Sequence, residues 1–204
     1  MGLSIHYELQ SDARRASKAR RLVEELRCRA MDVRRRWLRN VVDWTGDECD
    51  PKAHRTARWK RLAEQATRWV EHEGVRLPVR PERMFGFALG IGDGTEQAGF
   101  ALAMYPESIT DPETGIVLPT GLKGWCWRAS CKTQHGREDN LVDFVFAHQT
   151  LIKVLDCAKE LGILATVADD GDYWETRDVE VLKANLKEWE EIVAGRARRK
   201  HIHW

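Results

Sequence analysis

The first ten residues alternate between apolar and polar side chains, with Leu3, Ile5 and Tyr7 at every second position. A period of two is typical of a strand with one buried face. From residue 16 to residue 37 the period changes, and apolar residues recur at steps of three and four. That spacing places them on one side of a helix, so the sequence predicts a long amphipathic helix ending near residue 40.

A second helix is predicted for residues 51–73. Asp50 is a good N-cap and Pro51 a good first helical residue. The apolar residues between Trp59 and Val70 share one helical face, and Gly74 supplies a stop. The next segment, VRLPVRPER, contains two prolines, which disfavour helix there and at the residue before each. We expect an extended connection and a boundary near residue 80.

The second part of the chain begins with three strand-like runs separated by turns rich in Gly, Asp and Pro. A helix at 139–161, a short strand ILATVA and a last helix at 178–194 are predicted to follow. The pattern predicts an α+β fold with a mixed or mostly antiparallel sheet of about five strands packed by helices, and with an N-terminal pair of long basic amphipathic helices. We expect a single domain, 1–204, with sub-parts 1–80 and 81–204.

Composition excludes several classes of protein. Hydrophobic residues at 43% and charged residues at 32% are typical of a globular chain. The start MGLSIHYELQ lacks the features of a secretory signal, and no run of 18 apolar residues occurs. The 5 cysteines are odd in number and irregularly spaced, which argues against a disulfide framework. We therefore expect a cytoplasmic protein with reduced thiols, no membrane contact and no cofactor.

The stretch GWCWRASCKTQHG, residues 124–136, raises the question of a metal site. Cys126, Cys131 and His135, with His148 further on, are the ligand types that zinc uses. In a continuous strand, however, residues five positions apart point to opposite faces, so Cys126 and Cys131 diverge. The acidic run ADDGDYWE, residues 168–175, lacks the spacing of a calcium loop and is interpreted as a solvated turn. We predict no metal site.

A cysteine-dependent enzyme is the alternative reading of the same stretch. Cys131 lies near the end of a predicted strand, and either His148 or His135 is a candidate base for it. His148 falls in the middle of the apolar stripe of the predicted 139–161 helix. A histidine in that position is also typical of a buried residue with a hydrogen-bond partner, and Cys131 itself of a packed core residue.

The most extended feature is a concentration of arginine in the first helix. Residues 1–83 contain 20 Lys/Arg against 13 Asp/Glu, whereas residues 84–195 contain 9 against 19. Arginine suits bidentate contact with phosphate or carboxylate groups. The predicted binding residues are Arg14, Arg15, Arg21, Arg34, Arg35, Arg36, Arg39, Arg55, Arg58 and Arg61.

These observations favour a small binding or accessory protein, non-enzymatic, that uses the basic helical surface. The predicted partner is either nucleic acid or an acidic protein face, and a larger assembly is compatible with both. A solvated face without a partner is the remaining interpretation. If the ligand is nucleic acid, charge reversal at Arg34, Arg35 and Arg36 is expected to weaken binding most.

Overall fold

The computed structural model describes residues 2–34, 40–92, 95–133, 141–193 and 195. In chain order the strands are β1 (Ser4–Ser11), β2 (Val42–Thr45), β3 (Arg68–His72), β4 (Val75–Val79), β5 (Arg83–Gly90), β6 (Gln97–Met104), β7 (Ser108–Thr110), β8 (Val117–Pro119), β9 (Trp125–Lys132) and β10 (Leu164–Asp169). The helices are α1 (Ala16–Val33), α2 (Ala57–Ala66), α3 (Leu141–Glu160), α4 (Tyr173–Thr176) and α5 (Val179–Val193). Two short 3₁₀ segments, Gly46–Cys49 and Pro51–Ala53, precede α2.

Six strands form one antiparallel sheet in the order β10, β1, β9, β6, β5, β2. Strand β1 therefore lies between two strands that come from the C-terminal part of the chain. Ile5, Tyr7 and Leu9 are buried, as the alternation of apolar residues predicted, and the strand assignment is confirmed. The two remaining strand pairs, β3 with β4 and β7 with β8, are separate hairpins.

The predicted N-terminal pair of long helices is wrong. The chain begins with β1, strand β2 lies between the two helices, and α2 has only 10 residues. Trp69 and Val70, whose spacing continued the helical pattern, belong to β3 and pair with β4. Glu73 and Gly74 join these strands with φ angles of 49° and 79°, and a tight two-residue hairpin requires positive φ at both positions.

The expectation of a sheet with about five strands, mixed or mostly antiparallel, also needs correction. The sheet has six strands, and every pairing in it is antiparallel. The additional strand is β2, which pairs with β5 along the segment from Val42 to Thr45. It has only four residues, too few for alternation to be distinguished from a loop by pattern alone.

Helices α1 and α2 lie on opposite faces of the sheet. Asp43 and Trp44 are neighbours in β2, so their side chains point to opposite faces. The Asp43 carboxylate lies 3.6 Å from the guanidinium of Arg20 in α1. The Trp44 ring instead packs edge-on against Trp59 of α2, with 5.8 Å between ring centroids. Helix α3 packs beside α1, and the β3–β4 hairpin follows directly from α2.

The two central strands approach each other closely at one pair of residues. Strands β5 and β6 are almost wholly buried, and Gly86 of β5 lies directly opposite Ala101 of β6. A Cβ atom at position 86 would lie 2.8 Å from the Ala101 Cβ and 3.1 Å from the Phe100 carbonyl oxygen. Glycine at this position therefore permits the observed strand spacing.

Candidate functional site

The Cys131 side chain points into the core. It is fully buried in β9, and its Sγ lies 3.6 Å from the Glu96 carbonyl oxygen, to which the thiol donates. Burial, reinforced by the nearby Glu96 carboxylate, raises the pKa of the Cys131 thiol to about 12. Because the thiolate is the nucleophilic form, this cysteine is in an unreactive state near neutral pH.

The structure does not bring Cys131 and His148 together as hydrogen-bond partners. His148 is fully buried in α3, and both of its ring nitrogens have other partners. Nδ1 lies 2.9 Å from Thr133 Oγ1, and Nε2 lies 3.0 Å from Asp169 Oδ2. The other candidate base, His135, lies outside the described residues.

Thr133, His148 and Asp169 form a buried chain of hydroxyl, imidazole and carboxylate groups. An ionised carboxylate only accepts hydrogen bonds, so Nε2 donates to Asp169. Thr133 Oγ1 lies within hydrogen-bond distance of both Nδ1 and the Leu3 carbonyl oxygen, at 2.9 and 3.4 Å. The Asp169 carboxylate also accepts from the backbone N–H groups of Gly171 and Trp174, at 2.8 and 2.9 Å. Both nitrogens of the His148 imidazole and both oxygens of the Asp169 carboxylate therefore have hydrogen-bond partners.

The pKa of Asp169 follows from these contacts. Burial by itself raises the pKa of this carboxyl, but it is outweighed by the hydrogen bond and charge interaction with His148 and by the two backbone N–H donors. The pKa of Asp169 is consequently below its ordinary value, and the carboxylate is ionised near neutral pH. The network joins Thr133, directly after β9, to the middle of α3 and to the last residue of β10.

The order of these groups is that of a hydrolase triad, but their burial gives them a structural role. Thr133 is 1% exposed and His148 is 0% exposed, so no substrate reaches the hydroxyl or the imidazole. The sequence pattern pointed to His148 as a residue of the apolar stripe. It did not single out Thr133, and it placed Asp169 in a solvated turn, whereas the structure buries its carboxylate. The only indication of this network in the sequence was the position of His148 in an apolar stripe, because a buried histidine needs polar partners.

The described residues that the sequence put forward as zinc ligands, Cys126, Cys131 and His148, do not form a metal centre, and His135 lies outside the described residues. Within the described ranges, no group of three or more His, Cys, Asp or Glu side chains is arranged to hold a metal ion. Cys126 and Cys131 are five positions apart in β9, so their side chains point to opposite faces of the sheet. Cys126 is half-buried and Cys131 is buried.

Several of the predicted binding arginines are held by contacts within the protein. Arg34 donates to the Ile91 carbonyl oxygen, and its guanidinium lies 5.1 Å from the centroid of the Phe146 ring. Arg58 donates to the side chain of Gln97, and Arg61 forms an ion pair of 2.6 Å with Glu96. Arg35, Arg36 and Arg39 lie outside the described residues.

The start of α1 has a different character. Arg14, Arg15, Lys18 and Arg21 are all exposed, and no ion pair or side-chain hydrogen bond to the described residues involves them. We call these four residues the N-terminal basic cluster. The glutamates that follow on the same helix are already paired, Glu24 with Arg20 and Glu25 with Arg29. The cluster therefore carries positive charge that the described part of the chain does not neutralise.

Arg55 is the other predicted arginine that is exposed and without such a partner in the described ranges. It precedes α2 and so belongs to the opposite side of the sheet from α1. The basic residues of the two helices consequently do not form one surface. They divide into the N-terminal basic cluster on one side and a smaller set around α2 on the other.

The sequence matches no family model, and the chain has no match among curated proteins or solved structures. The geometry of the described residues is therefore the basis for assigning a site. Among those residues, no helix has the length and apolar character needed to cross a membrane. Within those residues, the N-terminal basic cluster is a concentration of exposed cations without ion-pair partners.

Proposed function

We propose that the protein is a non-enzymatic binding protein that contacts the phosphate backbone of nucleic acid through the N-terminal basic cluster. The observation that carries the proposal is a contrast among the basic residues of α1 and the two residues that precede it. Arg20 and Arg29 are neutralised by neighbouring carboxylates, whereas Arg14, Arg15, Lys18 and Arg21 extend into solvent. Four cations between residues 14 and 21, without a carboxylate partner among the described residues, are a site for a polyanion.

The start of the helix adds to this electrostatic preference. Arg15 occupies the N-cap position without a side-chain hydrogen bond to the helix, and the first turn contains no acidic residue. The Lys18 N–H already bonds to the Arg15 carbonyl oxygen, so within the described residues the N–H groups of Ala16 and Ser17, with the positive end of the helix dipole, are left for an external anion. Phosphate groups bind at helix N-termini for this reason, and arginine adds two parallel hydrogen bonds to each phosphate that it contacts.

Nucleic acid suits this cluster better than an acidic protein face does. A duplex carries one negative charge about every 1.7 Å of its axis, so a compact group of cations finds phosphates in many registers. An acidic protein surface would need carboxylates placed to match the four side chains. The burial of Cys131 and of the Thr133, His148 and Asp169 network supports a binding role without catalysis.

The test is the binding of a fluorescein-labelled 20-base-pair duplex, followed by fluorescence anisotropy at low salt. Arg21→Glu is expected to weaken binding several-fold, and Arg14→Glu combined with Arg15→Glu and Lys18→Glu to reduce it further. Arg55→Glu is the matched control, because it makes the same charge change at an exposed arginine on the other side of the sheet that has no ion-pair partner in the described part of the chain.

Two results would count against this function. If Arg55→Glu weakens binding as much as Arg21→Glu does, the interaction reflects net charge and not the cluster. If the wild-type protein fails to bind the duplex but binds polyglutamate in a manner that requires Arg21, the partner is an acidic protein face.

A further inference from the structure

A groove with a volume of about 500 Å³ lies over one face of the sheet, beside the β3–β4 hairpin. Glu8 and Gln10 of β1 lie directly opposite Arg128 and Cys126 of β9, so these four side chains point to the same face. They alternate along their strands with buried residues such as Tyr7, which point to the other face. All four line the groove.

Strand β3 adds Arg68 and Val70 to the groove. The two residues are half-buried and two positions apart, so their side chains lie on the same side of the strand. Trp69, between them, points the other way, and the guanidinium of Arg76 stacks on its ring at 5.2 Å from the centroid. Leu122, from the segment before β9, is a second half-buried apolar residue in the lining. The groove therefore presents apolar side chains together with the Arg68 guanidinium.

Arg68 is held in a fixed position by backbone oxygens. Its guanidinium donates to the carbonyl oxygens of Gln65 and Thr67, at 2.7 and 3.4 Å, and to that of Arg128, at 3.0 Å. It also lies 5.9 Å from the centroid of the Trp127 ring. None of these partners is a carboxylate, so the contacts orient the side chain without neutralising its charge.

The Arg68 guanidinium retains donors that these contacts do not use. An arginine side chain carries five N–H groups, and three of them donate to the backbone oxygens. Within the described residues, the Nε–H and one Nη2–H have no hydrogen-bond partner, and Nε is not among the buried polar atoms that lack one. Two donors on one planar guanidinium suit the two oxygens of a carboxylate.

The charge of the groove favours a singly charged anion. Arg128 is 72% exposed and is paired with Glu8, the one acidic residue among the described residues of the lining. With Arg68 included, two arginines face one glutamate, so the lining has one net positive charge. One carboxylate balances this charge, whereas a phosphate dianion exceeds it. The apolar side chains of Val70 and Leu122 complement a ligand that also has an apolar body.

We infer that this groove binds a small monocarboxylate, with its carboxylate on the Arg68 guanidinium and its apolar chain against Val70 and Leu122. The volume lies within the range of about 300–1,000 Å³ that is usual for small-molecule sites, which combine an apolar lining with a few placed polar groups. The site uses no residue of the N-terminal basic cluster, so it does not depend on the proposed contact with nucleic acid.

Cys126 makes occupancy of the groove measurable, because its half-buried thiol is part of the lining. The experiment follows the alkylation of Cys126 by iodoacetamide with peptide mass spectrometry, in the presence of octanoate, octanamide or inorganic phosphate. Octanoate is expected to slow this alkylation several-fold, whereas the exposed Cys28 reacts at an unchanged rate. Octanamide has a similar chain without the charge, and phosphate has charge without a chain. Both are expected to protect Cys126 much less at the same concentration.

Substitution of Arg68 tests the carboxylate contact. Arg68→Gln removes the charge and is expected to raise the octanoate concentration needed for half-maximal protection about tenfold or more. Arg68→Lys keeps the charge but loses the planar fork, and is expected to have an intermediate effect. Arg76→Gln is the matched control, because Arg76 lies opposite Glu71 on the side of the hairpin that carries Trp69. This variant should bind octanoate as the wild type does.

Four results would overturn the inference. Equal protection by octanoate and octanamide means that the guanidinium does not recognise the carboxylate. Equal protection by octanoate and phosphate means that the apolar chain contributes nothing. The site is also wrong if octanoate fails to protect Cys126, or if it protects Arg68→Gln as well as wild type. The comparison of octanoate with octanamide needs no substitution, so it decides the question even if Arg68→Gln fails to fold.

Discussion

His148 Nε2 lies 3.0 Å from Asp169 Oδ2, and both side chains are inaccessible to solvent. This contact joins the middle of α3 to the turn that leads from β10 into α4. Thr133, at the end of β9, hydrogen-bonds to the other nitrogen of the same imidazole. One buried histidine therefore connects three segments that are distant in sequence, and the fold in this region depends on its partners.

Replacement of His148 by alanine is expected to destabilise the protein strongly. It removes the side-chain donor from the buried Asp169 carboxylate and leaves a cavity in α3. Breaking a buried pair by removing one member costs about 3–5 kcal/mol of unfolding free energy, measured here by urea denaturation. Lys183→Ala breaks the exposed pair with Glu180 and should change stability by less than about 1 kcal/mol. If the two substitutions lower the unfolding free energy equally, the buried His148 contact stabilises the fold no more than an exposed ion pair does.

Stability in acid is expected to depend on Asp169. Its pKa is lower in the folded protein than the ordinary aspartate value of about 3.9, so folding favours the ionised form. The resulting stabilisation is fully present above that ordinary value and is lost as the pH falls through the lower folded-state pKa. Asp169→Asn should therefore be less stable than wild type at neutral pH, with a difference that narrows below about pH 4. A difference that is constant from pH 7 to pH 2 would contradict this assignment.

The thiol of Cys131 is expected to resist alkylation in the folded state. Burial and the Glu96 carboxylate raise its pKa to about 12, whereas Cys28 is exposed on α1. Treatment with iodoacetamide near pH 8, followed by peptide mass spectrometry, should modify Cys28 long before Cys131. Rapid modification of Cys131 in the native protein would revive the cysteine-dependent enzyme as an explanation.

The close approach of β5 and β6 predicts a compensating pair of substitutions. Gly86→Ala places a methyl group 2.8 Å from the Ala101 Cβ and should cost about 1–3 kcal/mol of unfolding free energy through overpacking. Adding Ala101→Gly removes the opposing methyl group and should recover much of that loss. Denaturation of the single and double variants tests the coupling, and simply additive losses would mean that the strain lies elsewhere.

The elements predicted correctly are those with long, regular patterns. Strand β1 alternates over eight residues with one face buried, and α3 has an apolar stripe over 20 residues. Strand β3 was predicted as the end of a helix because Trp69 and Val70 continued a helical spacing by coincidence, whereas β4 lies in the segment that was predicted to be extended. The determinant of the hairpin is the pair Glu73 and Gly74, whose positive φ angles reverse the chain, and a short turn of this kind is hard to separate from a helix stop by sequence alone.

The candidate binding residues were harder to predict from the sequence than the strands and helices were. Counting arginines identifies the basic character of α1, but it does not distinguish Arg20, which is paired with Glu24, from Arg21, which has no carboxylate partner among the described residues. That distinction depends on which carboxylates the fold brings near.

The most direct test of the account is the salt dependence of duplex binding by wild type and by the variant with glutamate at positions 14, 15, 18 and 21. Four phosphate contacts predict a slope of about −3.6 in log binding constant against log salt concentration, which weakens binding about 150-fold between 50 and 200 mM. The variant should lose most of that slope, and Arg55→Glu should keep it. A wild-type slope near zero, or an unchanged slope in the variant, would contradict the proposed function.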